Sequence, residues 1–197
     1  MHGSINRAIE MFVRDSYGSK AWRDVVSRLN LDISSFEAML DYPDLVTAQL
    51  VDELSQTMGK PASDVFEDIG TYLVSHPTAE PIRRLLRFSG ADLGEFLDSL
   101  DELPARARLV IPSLILPQIE LDEEGSDEIL VRVQHDPDVP IAFGHVLMGL
   151  LRAMADDYGA LVLLVHRGIA DGHENIEVKL LAASYAQGRA FALGTPA

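Results

Sequence analysis

The sequence predicts an α+β fold, with short helices up to about residue 103 followed by four antiparallel strands in two hairpins that enclose one helix. Three observations carry this. Apolar residues recur at spacings of three and four from Ile5 to Leu103, the period shortens beyond about residue 115, and two strand-turn-strand patterns flank a helical run in the second half. The order of elements is therefore helices, hairpin, helix, hairpin, with no clean linker between the halves.

The helices are punctuated by "YGS" at 17 to 19, "DYPD" at 41 to 44, "GKPAS" at 59 to 63 and "SHPTAEP" at 75 to 81. Pro43, Pro61 and Pro81 each precede or open a periodic run, where a missing N–H costs little, and Asp64 with Glu67 places acid near a helix start. A further amphipathic helix carries Phe96, Leu97, Leu100 and Leu103 on one face, and Pro104 falls inside its pattern. This proline either bends the helix or restarts one capped by Asp101, with Pro104 in its first turn.

Beyond that point "ILPQIEL" and "DEILVRVQ" flank the acidic turn "DEEGSD", and Ile129, Val131 and Val133 alternate with Leu130, Arg132 and Gln134. A helix over 139 to 157 follows, with Phe143, Val146, Leu147, Leu150, Leu151 and Met154 on one stripe. "ALVLLVHRG" and "ENIEVKLL" form the second hairpin, with Asp171-Gly172 as its turn pair. One domain over 1–183 is expected, with 1–90 as its helical part and 184–197 as a loosely held tail.

Composition narrows the function. The chain has 197 residues, no cysteine and a formal net charge of −15, which excludes disulfides and thiolate chemistry and argues against a nucleic-acid partner. The basic stretch "RRLLRF" at 83 to 88 reads as a helix end with solvated arginines. There is no signal-peptide core and no membrane-spanning run, so a cytoplasmic location away from membranes is expected. Neither a glycine-rich phosphate loop nor a nucleophile elbow is present, and no convergent catalytic set nominates an enzyme. The six histidines lack helical metal-pair spacing, so no metal centre is predicted. His145 reads as a partly buried, hydrogen-bonded ring, and His166 and His173 flank the last turn. The acidic cluster "LDEEGSDE" lacks calcium-loop spacing and reads as a solvated turn.

Several stretches together resemble the heme nitric-oxide/oxygen-binding (H-NOX, HNOB) family of sensor domains, found in soluble guanylate cyclases and bacterial signalling proteins. They are "MHGSINRAIEMFVRDSYGSKAW", "FEDIGTYLV", "EFLDSLDELPARARLVIPSLILPQI" and "HVLMGLLRAMADDYG", and the match covers roughly residues 1 to 182. The resemblance implies a helical part packed on a part built from the proximal helix, the sheet and its helix, here 91–183, with heme between them. It also implies nitric-oxide sensing, in which a proximal-helix histidine ligates iron and gas binding shifts the two parts.

Two departures bear on that cofactor. Pro104 stands where the family has its iron-ligating histidine, and proline offers no side-chain nitrogen lone pair. The family's Y-x-S-x-R propionate motif is also missing: its positions fall on Val133, His135 and Pro137, or on Asp136, Asp138 and Pro140. The positions matching family pocket residues are Ile5, Ile9, Leu73, Leu100, Leu103, Pro117, Leu147 and Leu150, which either line a pocket or fill it as core. The expectation is a non-enzymatic regulatory domain that has left canonical heme ligation, takes an apolar ligand and signals through a separate partner such as a histidine kinase or cyclase. The alternatives are a heme or gas-binding domain that uses His135 or His145 as a substitute iron ligand, and a heme-free protein-interaction module.

Overall fold

The computed structural model, which describes residues 1–125 and 128–191, has two hydrophobic cores, and they divide earlier than the change of period near residue 115, because Leu86, Leu93, Phe96, Leu97 and Leu100 join the sheet-side core. The first core belongs to α1 (Gly3–Arg28), α2 (Asp44–Met58) and α3 (Ala62–Ser75). His2 caps α1 by accepting from the Ser4 N–H, and the "YGS" signal proves to be a break within this helix at Gly18, whose φ of 87° only glycine adopts readily. Pro43 and Pro61 occupy the N-cap positions of α2 and α3, as their spacing predicts.

A 3-10 turn (Pro77–Ala79) leads into α4 (Glu80–Arg87), and α5 (Leu93–Asp98) follows. The helix expected across Pro104 is divided: α5 ends, a 3-10 turn covers Leu100–Glu102, and α6 (Leu103–Val110) begins with Pro104 in its first turn. The restart is thus the outcome, because proline's missing N–H is harmless in a first turn and disruptive later. Its cap is Glu102, without a side-chain bond, and not Asp101.

The second core lies between α7 (Phe143–Tyr158) and an antiparallel sheet of β1 (Ile119–Gly125), β2 (Glu128–Gln134), β3 (Leu161–Ala170) and β4 (His173–Ala182), in the order β1-β2-β4-β3. The register sets Val131 opposite Ile176 and Val133 opposite Glu174, and Val131, Val133, Ile176 and Val178 are buried beside α7. The Asp171-Gly172 turn has φ of 52° and 76°, the positive pair that a tight hairpin needs. α7 starts at Phe143 and not at 139, because Val139 to Ala142 run as irregular chain into the cap. β1 continues through Asp122 to Gly125, so the strand takes in the first part of the stretch expected as an acidic turn. The cation reading of that acidic turn lies outside the described residues.

The two cores are joined by α3 and α7. Gly70 and Gly149 face the opposing backbone so closely that a Cβ on Gly70 would lie 2.0 Å from the Val146 carbonyl oxygen. The Thr71 hydroxyl donates to the Gly149 carbonyl across the same contact at 3.2 Å. The loosely held tail requires correction up to residue 191: Tyr185 and Ala186 donate to the Gly159 carbonyl, and Arg189 donates to that of Asp157.

Candidate functional site

Between the two cores the packing leaves a cavity of about 360 Å³. α1 contributes Ile5 and Ile9, α3 contributes Leu73, α6 contributes Leu103 and Pro104, and α7 contributes Leu147 and Leu150, while Pro117 closes the approach to β1. Eight of the nine predicted positions therefore line one space. Leu100 does not; it is fully buried in the sheet-side core with Phe96 and Leu97. Phe66 and Ile69 also line the cavity, and the spacing of three and four back from Leu73 along α3 is the signal that points to them. Among the described residues Ser4 is the only lining residue with a polar side chain, and none of them carries a nitrogen or sulfur ligand.

A second chamber of about 470 Å³ shares Ile5, Leu116, Pro117, Ile141 and Phe143 with the first. Its polar lining includes Asp41, Asp44, Asp136 and Glu174 with His2 and His135, and no Lys or Arg side chain lines it among the described residues. The Met1 amino group pairs with Asp44, and His2 Nε2 lies 2.8 Å from Ser113 Oγ. Of the positions matched to the propionate motif, Val133 faces the inner cavity, His135 and Asp136 the outer chamber, and Asp138 neither. An anionic head group would meet carboxylates here, an arrangement that water solvates better than this surface does.

His145 lines neither chamber. Its Nδ1 lies 3.2 Å from Glu67 Oε1, and its ring stacks on that of His166 at 4.2 Å between centroids and 8° between planes. Burial pushes the Glu67 carboxyl up, but hydrogen bonds from Arg152 and His145 outweigh it and leave the group below its ordinary value. His166, Glu174 and His145 bring possible ligand atoms within 4.8 Å of one another. The arrangement is not that of a metal centre. Stacked rings hold their lone pairs in separate, nearly parallel planes, which do not meet at one ion, and His166 Nδ1 accepts the Gly168 N–H at 3.1 Å, which places the neutral ring's hydrogen on Nε2, facing Glu174 Oε2 at 3.3 Å. Glu174 also accepts the Gly144 N–H at 3.0 Å, so the cluster ties the start of α7 to the sheet. His173 hydrogen-bonds its own turn, away from His166.

The "RRLLRF" expectation is overturned. Arg83 is buried at 4% exposure with its Nε 2.8 Å from Asp157 Oδ1, and Arg87 lies with its guanidinium 3.8 Å above the Tyr158 ring. Only Arg84 of the three matches the solvated reading.

A profile of the Haem-NO-binding (HNOB) family matches residues 2–163. The chain belongs to this family. Solved H-NOX proteins share its fold: an Fe(II) unliganded form from K. algicida has a TM-score of 0.77 at 17% identity, covering 95% of this chain and 100% of that one. An Fe(II)NO form from S. oneidensis has a TM-score of 0.74 at 16% identity, covering 91% and 99%. Among curated proteins, soluble guanylate cyclase gcy-31 of Caenorhabditis elegans is 22% identical over 157 residues, 80% of this chain and 22% of that protein. Soluble guanylate cyclase 89Db of Drosophila melanogaster is 22% identical over 129 residues, 64% of this chain and 19% of that protein. The chain spans about a fifth of the length of these relatives. It is an H-NOX domain related to heme-based gas sensors.

Proposed function

We propose that this chain is a non-enzymatic regulatory domain in which heme ligation by a proximal histidine has been given up, and whose cavity takes a small apolar ligand. Pro104 carries the reading. It sits on α6 at the cavity wall, in the position matched to the family's iron ligand, and no lining side chain replaces the missing nitrogen. The residues present do not fit a heme held in the family's manner, because the inner wall lacks an axial ligand and the outer chamber opposes carboxylates to propionates. The volume of about 360 Å³ lies within the range of ordinary small-molecule sites and supports a ligand over a filled core.

The domain covers 1–183, and its output passes to a separate signalling protein such as a histidine kinase or cyclase. No helix among the described residues is long and apolar enough to cross a membrane. A heme-bound alternative would use His135, which, unlike His145, lines the outer chamber beside its acidic residues.

Titration of the purified protein with hemin under reducing conditions, with and without nitric oxide, tests the proposal. The expected result is a broad, unsaturable Soret band that the gas leaves unchanged. A sharp, saturable band that shifts with nitric oxide, and that His135→Ala removes, would establish the alternative instead.

A further inference from the structure

α4 has two faces with different duties. Pro81, Ile82, Leu85 and Leu86 line the cavity, whereas Glu80, Arg83, Arg84 and Arg87 fall on the opposite side of the same two turns. On that outer side Arg83 holds three partners: Asp157 Oδ1 at 2.8 Å, Glu80 Oε1 at 3.1 Å and the Ala190 carbonyl at 3.2 Å. Arg87 stacks on Tyr158 and lies 5.1 Å from the Phe191 ring centroid. The segment from Tyr185 to Phe191 is thus docked against the end of α7 partly by side chains of a helix whose other face is cavity wall.

This clamp is costly to build. Asp157 is 4% exposed and sits at the C-terminal end of α7, where both burial and the helix dipole disfavour a carboxylate. Its charge is balanced from α4. The balance is incomplete: among the described residues Asp157 Oδ2 and Arg87 Nε have no hydrogen-bond partner and stand 3.5 Å apart as an ion pair. A partly satisfied buried network of this kind has an arrangement that small movements of α4 can change.

We infer that α4 couples the cavity to the docked segment, so that an apolar occupant holds Tyr185 to Phe191 in place and an empty cavity lets the segment open. The coupling rests on the proposed ligand-binding role of the cavity. Its origin is local stability: an occupant that packs on Ile82 and Leu85 suppresses opening of α4, and opening of α4 is the step that withdraws Arg83 from Asp157 and Ala190. By reciprocity, the factor by which an occupant favours the docked segment is the factor by which the docked segment favours the occupant.

The test uses the full chain and N-phenyl-1-naphthylamine, a neutral apolar fluorophore, with hydrogen exchange read by mass spectrometry. Saturation with the probe is expected to slow exchange at Tyr185, Ala186 and Arg189 by about fivefold or more, while β4 amides such as Ile176 keep their rates. Asp157→Asn and the milder Phe191→Ala are expected to accelerate exchange at these three amides in the free protein, and probe saturation is expected to slow it by the factor seen in the parent. If the probe binds and leaves the segment's exchange unchanged in the parent and in both variants, the coupling is refuted and the cavity reading stands. If the probe does not bind, the cavity reading fails, and Ile82→Trp, which fills the space from α4 itself, decides the coupling: slower exchange at 185 to 189 supports it, and unchanged exchange overturns it.

Discussion

Gly149 lies so close to Glu67 that a Cβ built on it would sit 1.9 Å from the Glu67 carbonyl oxygen. The neighbour is backbone, which cannot swing aside as a side-chain tip can. Gly149→Ala must therefore separate α7 from α3 and disturb the contact that joins the two cores. The expected cost is about 3 kcal/mol, read as a lower urea midpoint, whereas Gly125→Ala, where a Cβ meets nothing closer than 3.9 Å, should leave the midpoint nearly unchanged.

Filling the cavity should have the opposite sign. Leu147→Phe adds volume from α7 into a space already lined by apolar groups, and it is expected to raise stability by about 1 kcal/mol, or a few degrees in Tm. The same variant should lose binding of an apolar fluorophore. A stabilised protein that still binds the fluorophore at full affinity would place the ligand elsewhere.

Removing one partner of the buried pair separates structure from surface charge. Arg83→Met leaves Asp157 with only the longer ion pair to Arg87 at 3.5 Å and should cost about 3 kcal/mol, while Arg84→Met, on the exposed side of α4, should stay within about 0.5 kcal/mol of the parent. Burial alone would lower the Arg83 pKa, but Asp157 and Glu80 outweigh it and hold the guanidinium above its ordinary value, so Arg83 stays charged across the accessible pH range.

The contact between α1 and α3 titrates at both extremes. Tyr72 donates to Asp15 Oδ2 at 2.6 Å, and the Asp15 carboxyl is held below 3.8 by this bond first and then by Thr78. Its contribution to stability is present above the unfolded value and is lost as pH falls through the depressed folded pKa. Burial first, and then Asp15, push the Tyr72 phenol from 10.0 up to about 12, so its contribution is intact below 10 and disappears as pH rises through 12. Urea midpoints against pH should show the largest advantage of the parent over Tyr72→Phe between these limits. A difference that does not change with pH would mean that the lost hydroxyl acts only through packing.

What the chain order and periodicity determine by themselves is considerable. The stripe from Phe143 to Met154 specifies a helix, Asp171-Gly172 specifies a tight hairpin, and Pro104 marks either a bend or a new helix start, because each depends on neighbours a few residues away. Even the cavity-lining positions of α3 follow from its period. What only the tertiary structure decides are pairings between distant segments: Arg83 with Asp157 across 74 residues, which turned an apparent solvated end into a buried clamp, and His145 with His166 across two elements. The same holds for the cavity. Whether Ile5, Leu73, Leu103 and Leu150 touch one another or enclose a space depends on the separation of helices set by backbone contacts such as Gly149 on Glu67, and no local pattern of apolar residues encodes that distance.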